Sequence, residues 1–362
     1  MTRGPFAVDV EPNWPAFWDC LTRQGTPARV HHIEIFLDPE VEDEICRRFH
    51  LLDGFDEENP FFKWQKEIAL QRFLGYDYVV CGLDGVELSF YRTPVPDTAP
   101  LQRPGGRFYQ DEHRGPITTW QEFEAYPWPD ITRASTASLE WVSEHLPEDM
   151  CIIGGLTGHF CEDLTWLMGY ETLCYALYDQ RDLVQAIADR LVEMFRAIAE
   201  RLLTFERVKM LWGTDDMGFR SGTLLSPNDL RAFVLPGHRL LAQMSHAAGR
   251  LYLLHSCGNL SAIMEDLITG VGIDAKHSFE DTIEDVTEAK RRYGDRIALL
   301  GGIDVDFLCR ASEAQVRERV RKTLDACLPG GGYCLGTGNS VTNYIPVNNY
   351  LAMLDEGRRY RP

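Results

Sequence analysis

The stretch LYLLHSCGNL at residues 251–260 opens with four apolar residues in a row and closes on polar residues and a glycine. A strand with one wet face alternates apolar and polar side chains, whereas a strand covered on both faces does not. LYLL followed at once by a polar turn therefore predicts a short, buried, parallel strand. IALL at 297–300 has the same character. Comparable apolar runs fall at 29–36, 77–83, 151–156, 208–217, 272–279, 296–304 and 331–340, which makes eight with 250–258. Helical patterns separate them. DLVQAIADRLVEMFRAIAERLLTF at 182–205 carries apolar residues at i, i+3, i+4 and i+7, with Asp182 as its expected N-cap. Ser226-Pro227 reads as a cap followed by proline in the first turn, and 285–293 and 312–327 supply later crossovers. Eight buried strands linked by helices predict an α/β fold, a single (β/α)8 TIM barrel.

The connection between the second and third strands is the exception. Residues 84–150 contain the turn-rich stretch 94–107 and an expected strand pair, 87–91 with 107–111, and read as an elaborated loop over the barrel mouth. No repeat, low-complexity tract or linker interrupts the chain. Residues 1–362 are therefore expected to form one domain, with residues 1–28 an N-terminal helical extension. With 44% of its residues hydrophobic, the chain can build a core of that size. A net charge of -19 repels phosphate backbones and anionic lipids, so neither nucleic acid nor a membrane is an expected partner. Ten cysteines include no CxxC pair, and most are expected to be reduced and buried. Pro5, Asp9, Glu11, Pro12 and Pro15 argue against a secretory leader, and no apolar run reaches the roughly 18 residues of a membrane span. A cytoplasmic protein is expected.

In such a barrel the reactive groups stand at the carboxyl ends of strands. Those ends carry His31, His32 and Glu34, then Asp84, Asp215, Asp216, His255, Cys257, His277 and Asp304, and last Cys334 and Asn339. Residues i and i+2 of a strand share a face, so His255 and Cys257 project together. Cys334 on the last strand offers a second thiol. One nitrogen and two sulfurs suit Zn2+ and leave a fourth position open, as in catalytic zinc sites. The competing reading makes both cysteines small core residues and His255 a hydrogen-bonded barrel histidine, and the pattern alone leaves the two balanced. Asp215 and Asp216 could share a proton, or one could cap a loop while the other faces solvent; function is favoured for Asp216. Glu34 could orient a ligand, coordinate a metal or pair with a buried arginine. His159, in GLTGHFCED, is a candidate substrate contact. His277 reads as a mouth residue near the metal or, more simply, as a structural histidine. His31 and His32 are adjacent and face opposite ways, so at most one can line a pocket.

Around LLHSCGNL (253–260) the chain resembles the uroporphyrinogen-decarboxylase-like superfamily, and within it the zinc-dependent methylcobalamin:thiol methyltransferase branch. The resemblance extends through RVHHIEIFLDPEV at 29–41, WGTDDMGFRSGTLLSPNDLRAFVLP at 212–236, LLGGIDVDFL at 299–308 and GYCLGTGNSVTNYIPVNNYLAML at 332–354. Methyltransferases of this kind hold zinc through a His-x-Cys pair and one distant Cys, so the resemblance implies a Zn2+ site made by His255, Cys257 and Cys334. It implies further that a substrate thiol is activated there as a zinc thiolate. That thiolate would exchange a methyl group with a corrinoid, either free methylcobalamin or a corrinoid on a partner protein. Asp216 and Glu34 are then the expected catalytic residues, and His159, Asp215, His277 and Asn339 the expected substrate contacts. Decarboxylases of the superfamily carry arginines after the first strand and a histidine in the last-strand motif. Here FLDPEVEDE (36–44) is acidic, Arg47 and Arg48 lie further on, and GTGNS (336–340) has Asn339 where that histidine stands. A decarboxylase is the runner-up, and a non-catalytic barrel that binds a corrinoid or metabolite is the third reading.

Overall fold

The computed structural model describes residues 4–361. Seven parallel strands form one curled sheet: β1 Tyr78–Cys81, β2 Cys151–Thr157, β3 Val208–Thr214, β4 Leu251–His255, β5 Ala275–His277, β6 Ala298–Leu300 and β7 Tyr333–Cys334. Each is hydrogen-bonded to the next in that order, so every crossover joins neighbours. The LYLL run is β4, buried at every residue, as two covered faces require. Register, more than strand length, positions the polar strand ends. Thr214, His255 and His277 pair across β3, β4 and β5, which brings three strand ends to one level.

The stretch expected as the first strand, 29–36, forms no ladder. It meets the chain after β7 through two isolated parallel bridges, His32 with Leu335 and Leu37 with Val341. Towards β1 a side chain replaces the ladder: the Tyr78 hydroxyl accepts from the Glu34 N–H and donates to the Glu34 carbonyl, each at 2.8 Å. One buried phenol satisfies both backbone groups, and the peptide units need no strand partner there.

Helices cover the outer face. Arg181–Leu202 begins one residue before Asp182, which sits in its first turn rather than at its cap, and it ends short of Phe205. Its Leu183, Ile187, Leu191, Met194, Ile198 and Leu202 are buried, one apolar stripe at helical spacing. Ser226 accepts from the Asp229 N–H, and Ser312 and Gln315 form a reciprocal capping box before Glu313–Cys327. In the connection after β1 an antiparallel pair joins Arg92–Val95 to Arg107–Gln110. Its first arm lies beyond 87–91, because the Tyr126 hydroxyl takes both the N–H and the carbonyl of Ser89. The amino end of the sheet is closed by the helix Trp14–Leu21, whose Trp14 N–H reaches the Asp149 carbonyl before β2 and whose Cys20 carbonyl accepts from Gly332 before β7. Residues 1–3 of the expected N-terminal extension lie outside the described residues. No helix among the described residues is long and apolar enough to cross a membrane.

Candidate metal centre at the strand ends

His255 is the last residue of β4, and Ser256 and Cys257 continue it. Ser256 is buried and fixes the loop twice: its N–H donates to the His277 carbonyl at 2.7 Å, and its Oγ accepts from the Met217 N–H at 3.0 Å. Gly258 then reverses the chain at φ +81°, a conformation that glycine adopts freely. A Cβ on Gly258 would lie 2.2 Å from the Gly218 carbonyl carbon, and one on Gly218 would lie 2.6 Å from the Cys257 carbonyl oxygen. Two facing glycines therefore let the hairpin Gly218–Phe219 with Gly222–Thr223 rest directly on the Cys257 loop. Asp216, just ahead of that hairpin, is held over the strand end. Its Oδ1 accepts from the Cys257 N–H at 2.7 Å and stands 3.4 Å from His255 Nε2. Cys257 Sγ is also 3.4 Å from His255 Nε2. Nitrogen, sulfur and oxygen thus lie within 4.8 Å of one another.

The hydrogen-bond network sets which His255 nitrogen is free. His277 Nε2 is 3.4 Å from the Thr337 carbonyl, which can only accept, so the proton of His277 is assigned to Nε2. Its Nδ1 then accepts from His255 Nδ1–H at 2.7 Å, and the His255 Nε2 lone pair faces Cys257 and Asp216. Burial, followed by the proximity of His255 and Lys276, holds His277 well below its ordinary pKa, so it stays neutral. A ligating histidine oriented by an acceptor behind it is the usual arrangement in metal sites. Burial opposes ionisation of Asp216, but the neighbouring His255 and the Cys257 N–H outweigh it and lower the carboxyl to about 2. Burial and the Asp216 carboxylate push the Cys257 thiol up. A thiol in that setting ionises once a metal cation joins it, so the donor set fits a thiophilic ion. Asn339 Nδ2 donates to Cys257 Sγ at 3.0 Å, and Ser278 Oγ lies 3.8 Å from the same sulfur.

The other expected site residues are distributed differently. Cys334 does not join this group: it is fully buried on β7, next to Tyr333, whose carbonyl accepts from Cys20 Sγ on the helix that closes the amino end. The chain reaches the mouth only beyond it, and there it presents Asn339. Asp215 is a structural anchor. It accepts from the Cys161 and Glu162 N–H groups at the start of the helix Phe160–Met168, and it pairs with His238 at 2.8 Å. His159 lies 3.0 Å from Thr214 Oγ1 and 3.3 Å from Glu162, beside a separate cavity of about 470 Å³ that Asp163 and Trp166 also line. Burial opposes its charge, but the Glu162 hydrogen bond and then Asp163 raise His159 to about 9. Among the described residues Glu34 pairs with no arginine; its carboxyl accepts from the Thr337 N–H and hydroxyl, and burial raises it to about 8. His31 pairs with Asp77 at the amino end and His32 packs against Gly357, so neither lines the mouth.

A cleft of about 750 Å³ opens beside Asn339, lined among others by Glu280, Asp304, Phe307, Arg310 and Tyr344. Sequence reading passed over Ser278, Glu280 and the buried Lys276, whose ammonium donates to the Ser278 carbonyl at 2.6 Å and lies over the Phe279 ring. KHS at 276–278 did carry a signal, since a lysine inside an otherwise apolar strand is rarely buried without a reason.

The sequence profile described as Uroporphyrinogen decarboxylase (URO-D) matches residues 112–360. A uroporphyrinogen decarboxylase of Cupriavidus necator is 36% identical over 83 residues, 22% of this chain and 23% of that protein. A methylcobamide:CoM methyltransferase of Methanosarcina barkeri is 28% identical over 134 residues, 37% of each chain. A methylated-thiol--coenzyme M methyltransferase of Methanosarcina mazei is 33% identical over 133 residues, 36% of this chain and 33% of that protein. These alignments span little more than a third of the curated relatives' own length at most. A solved methyltransferase from Methanosarcina mazei superposes with a TM-score of 0.68 over 96% of this chain and 99% of its own, at 16% identity, and so shares the fold. With the profile covering more than two thirds of its length, this chain belongs to the uroporphyrinogen decarboxylase (URO-D) family.

Proposed function

We propose that this protein is a zinc-dependent methyltransferase that moves a methyl group between a corrinoid and a small substrate, with thiols as the acceptor class. The observation that carries this reading is the meeting of His255 Nε2, Cys257 Sγ and an Asp216 carboxylate oxygen within 4.8 Å at the open end of the sheet. Zinc accepts such a donor set and keeps a fourth position for a substrate atom. Bound there, it would supply a Lewis acid that lowers a substrate thiol's pKa, so that thiolate is available at neutral pH. The chain's own residues prepare the rest. His277 orients the His255 ring, and Glu34 supports His277 through Thr337. Asn339 donates an N–H to Cys257 Sγ and delocalises part of the thiolate charge. The cleft beside Asn339 has the volume of a small-molecule site. The corrinoid, free or on a partner protein, approaches from the same mouth, and residues 1–362 act as one domain.

A carboxy-lyase is the second reading, favoured by the decarboxylases among the relatives. Its substrate carboxylates would meet Glu280, Asp281, Asp304 and Asp306 in the cleft, while Arg47 and Arg48 are engaged with Glu44 on the outer surface. Like charges at the mouth weigh against it. The deciding assay follows methylcobalamin demethylation optically with a panel of small thiols. Turnover should require zinc and fall to background in His255→Ala and Cys257→Ala, whereas equal rates with and without zinc would refute the reading.

A further inference from the structure

The cavity beside His159 stands apart from the metal centre. It has about 470 Å³ and shares no lining residue with the cleft beside Asn339. Thr157 at the end of β2 and Asp163 on the helix Phe160–Met168 bring polar groups to it. Its apolar wall is supplied by Phe195 and Ile198 of the helix Arg181–Leu202, and by Trp166, which meets Phe90 edge to face at 5.2 Å. Trp166 follows Asp163 by three residues and so lies on the same side of their helix.

Asp163 is the unusual member. It is 5% exposed, yet among the described residues its carboxyl has neither a hydrogen-bond donor nor an ion-pair partner. His159 does not serve, because its Nδ1 lies 3.3 Å from Glu162 Oε2 and its Nε2 3.3 Å from the Leu156 carbonyl. Burial raises Asp163 to about 8 against the charge of His159, as it does for a carboxyl without a counter-ion. The wall holds a second unmet group, the buried Thr157 hydroxyl. An unpaired carboxyl in a dry site costs free energy, and a ligand that pairs with it recovers part of that cost.

The rim does not select a charge, because exposed Lys63 and Arg92 balance exposed Asp84 and Glu87. Selection falls to the interior. An anionic ligand would set like charges together, and a wholly apolar one would leave Asp163 unmet. We propose that this cavity is a second small-molecule site, separate from the metal centre, that takes a primary amine with an apolar body. The ammonium pairs with Asp163 beside the Trp166 ring, and the hydrocarbon lies along Phe195 and Ile198. The volume lies within the range of small-molecule sites.

The test titrates the full chain with phenethylamine by calorimetry, beside phenethyl alcohol and phenylpropionate as the neutral and anionic controls. Expected is saturable binding of the amine at a single site, about tenfold or more tighter than either control, since neither can form the charged pair. Asp163→Asn should weaken the amine about tenfold or more and leave the alcohol unchanged. Cys257→Ala should bind the amine as the wild type does, which separates this cavity from the metal centre. The proposal is overturned if the alcohol binds as tightly as the amine, if Asp163→Asn keeps full affinity, or if Cys257→Ala loses it. Absence of saturable binding at millimolar amine overturns it as well. The comparison of the three ligands on the wild type needs no variant, and it decides the matter alone should Asp163→Asn fail to fold.

Discussion

Each end of the sheet sets a histidine beside an aspartate: His255 with Asp216 and Cys257 at one end, His31 with Asp77 at the other. Their charge balance separates them. Asp77 has a fully buried side chain and is neutralised from within by Arg29. Asp216 is 38% exposed, and among the described residues no lysine or arginine pairs with it; it faces the His255 imidazole and accepts from the Cys257 N–H. In the proposed zinc site, a carboxylate and a potential thiolate without a paired cation would draw one from solution. Glu34, whose carboxyl is tied to Thr337 on the chain between Cys334 and Asn339, shows a third solution: with no cation paired to it among the described residues, it keeps a proton.

The contrast between the ends is tested most severely by metal content. Cys257→Ala and His255→Ala should each reduce bound zinc to about a tenth of the wild-type level or less, while Cys334→Ala should leave it unchanged. Elemental analysis of protein purified without added metal reads this directly. Zinc lost from a folded Cys334→Ala variant would erase the division between the two ends.

Glu34 gives the next effect. Its carboxyl is raised from 4.5 to about 8 by burial, so the folded state keeps the proton across an interval in which the unfolded state has released it. The unfolded chain then binds fewer protons, and stability falls as pH rises through that interval and levels off above it. Relative to Glu34→Gln, the wild type should lose on the order of 3 kcal/mol between pH 5 and pH 8, read from denaturant midpoints at the two pH values. Parallel curves for the two proteins would mean that Glu34 is ionised and that a cation has been overlooked there.

The subtlest change is at His277. Replacing it by alanine removes the acceptor behind His255 and should weaken zinc about 10- to 100-fold, as loss of an outer-shell partner typically does. Competition against a chromophoric chelator measures this, and unchanged affinity would show that the His255 ring is held by packing alone.

The buried strands were legible because LYLL and IALL have no wet face to disguise. The stretch 29–36 looks equally strand-like, yet Tyr78 satisfies its backbone from across the sheet, and no pattern within the stretch reveals a partner outside it. His255 and Cys257 were legible for a local reason, the shared face of i and i+2. Asp216 reads as functional in the sequence, and the structure sets its carboxylate beside His255 and Cys257. Cys334 was misjudged because 331–340 read as one strand with a single end. The strand is only Tyr333–Cys334, and at about 3.3 Å per residue Asn339 can stand up to about 16 Å further along the chain. A shared strand face can be read from a sequence; height along a barrel axis is known only once the strand ends are.

The contact between Gly218 and Gly258 has a consequence for how this site can evolve or be redesigned. Neither position can gain a side chain alone without driving the hairpin off the Cys257 loop, and Asp216 would leave with it. The two loops act as one unit, and a library that randomises the hairpin would displace Asp216 before it explored new substrates. Gly222, on the other arm, is different: a Cβ added there would meet nothing within 4 Å, so diversity at that position costs the centre least.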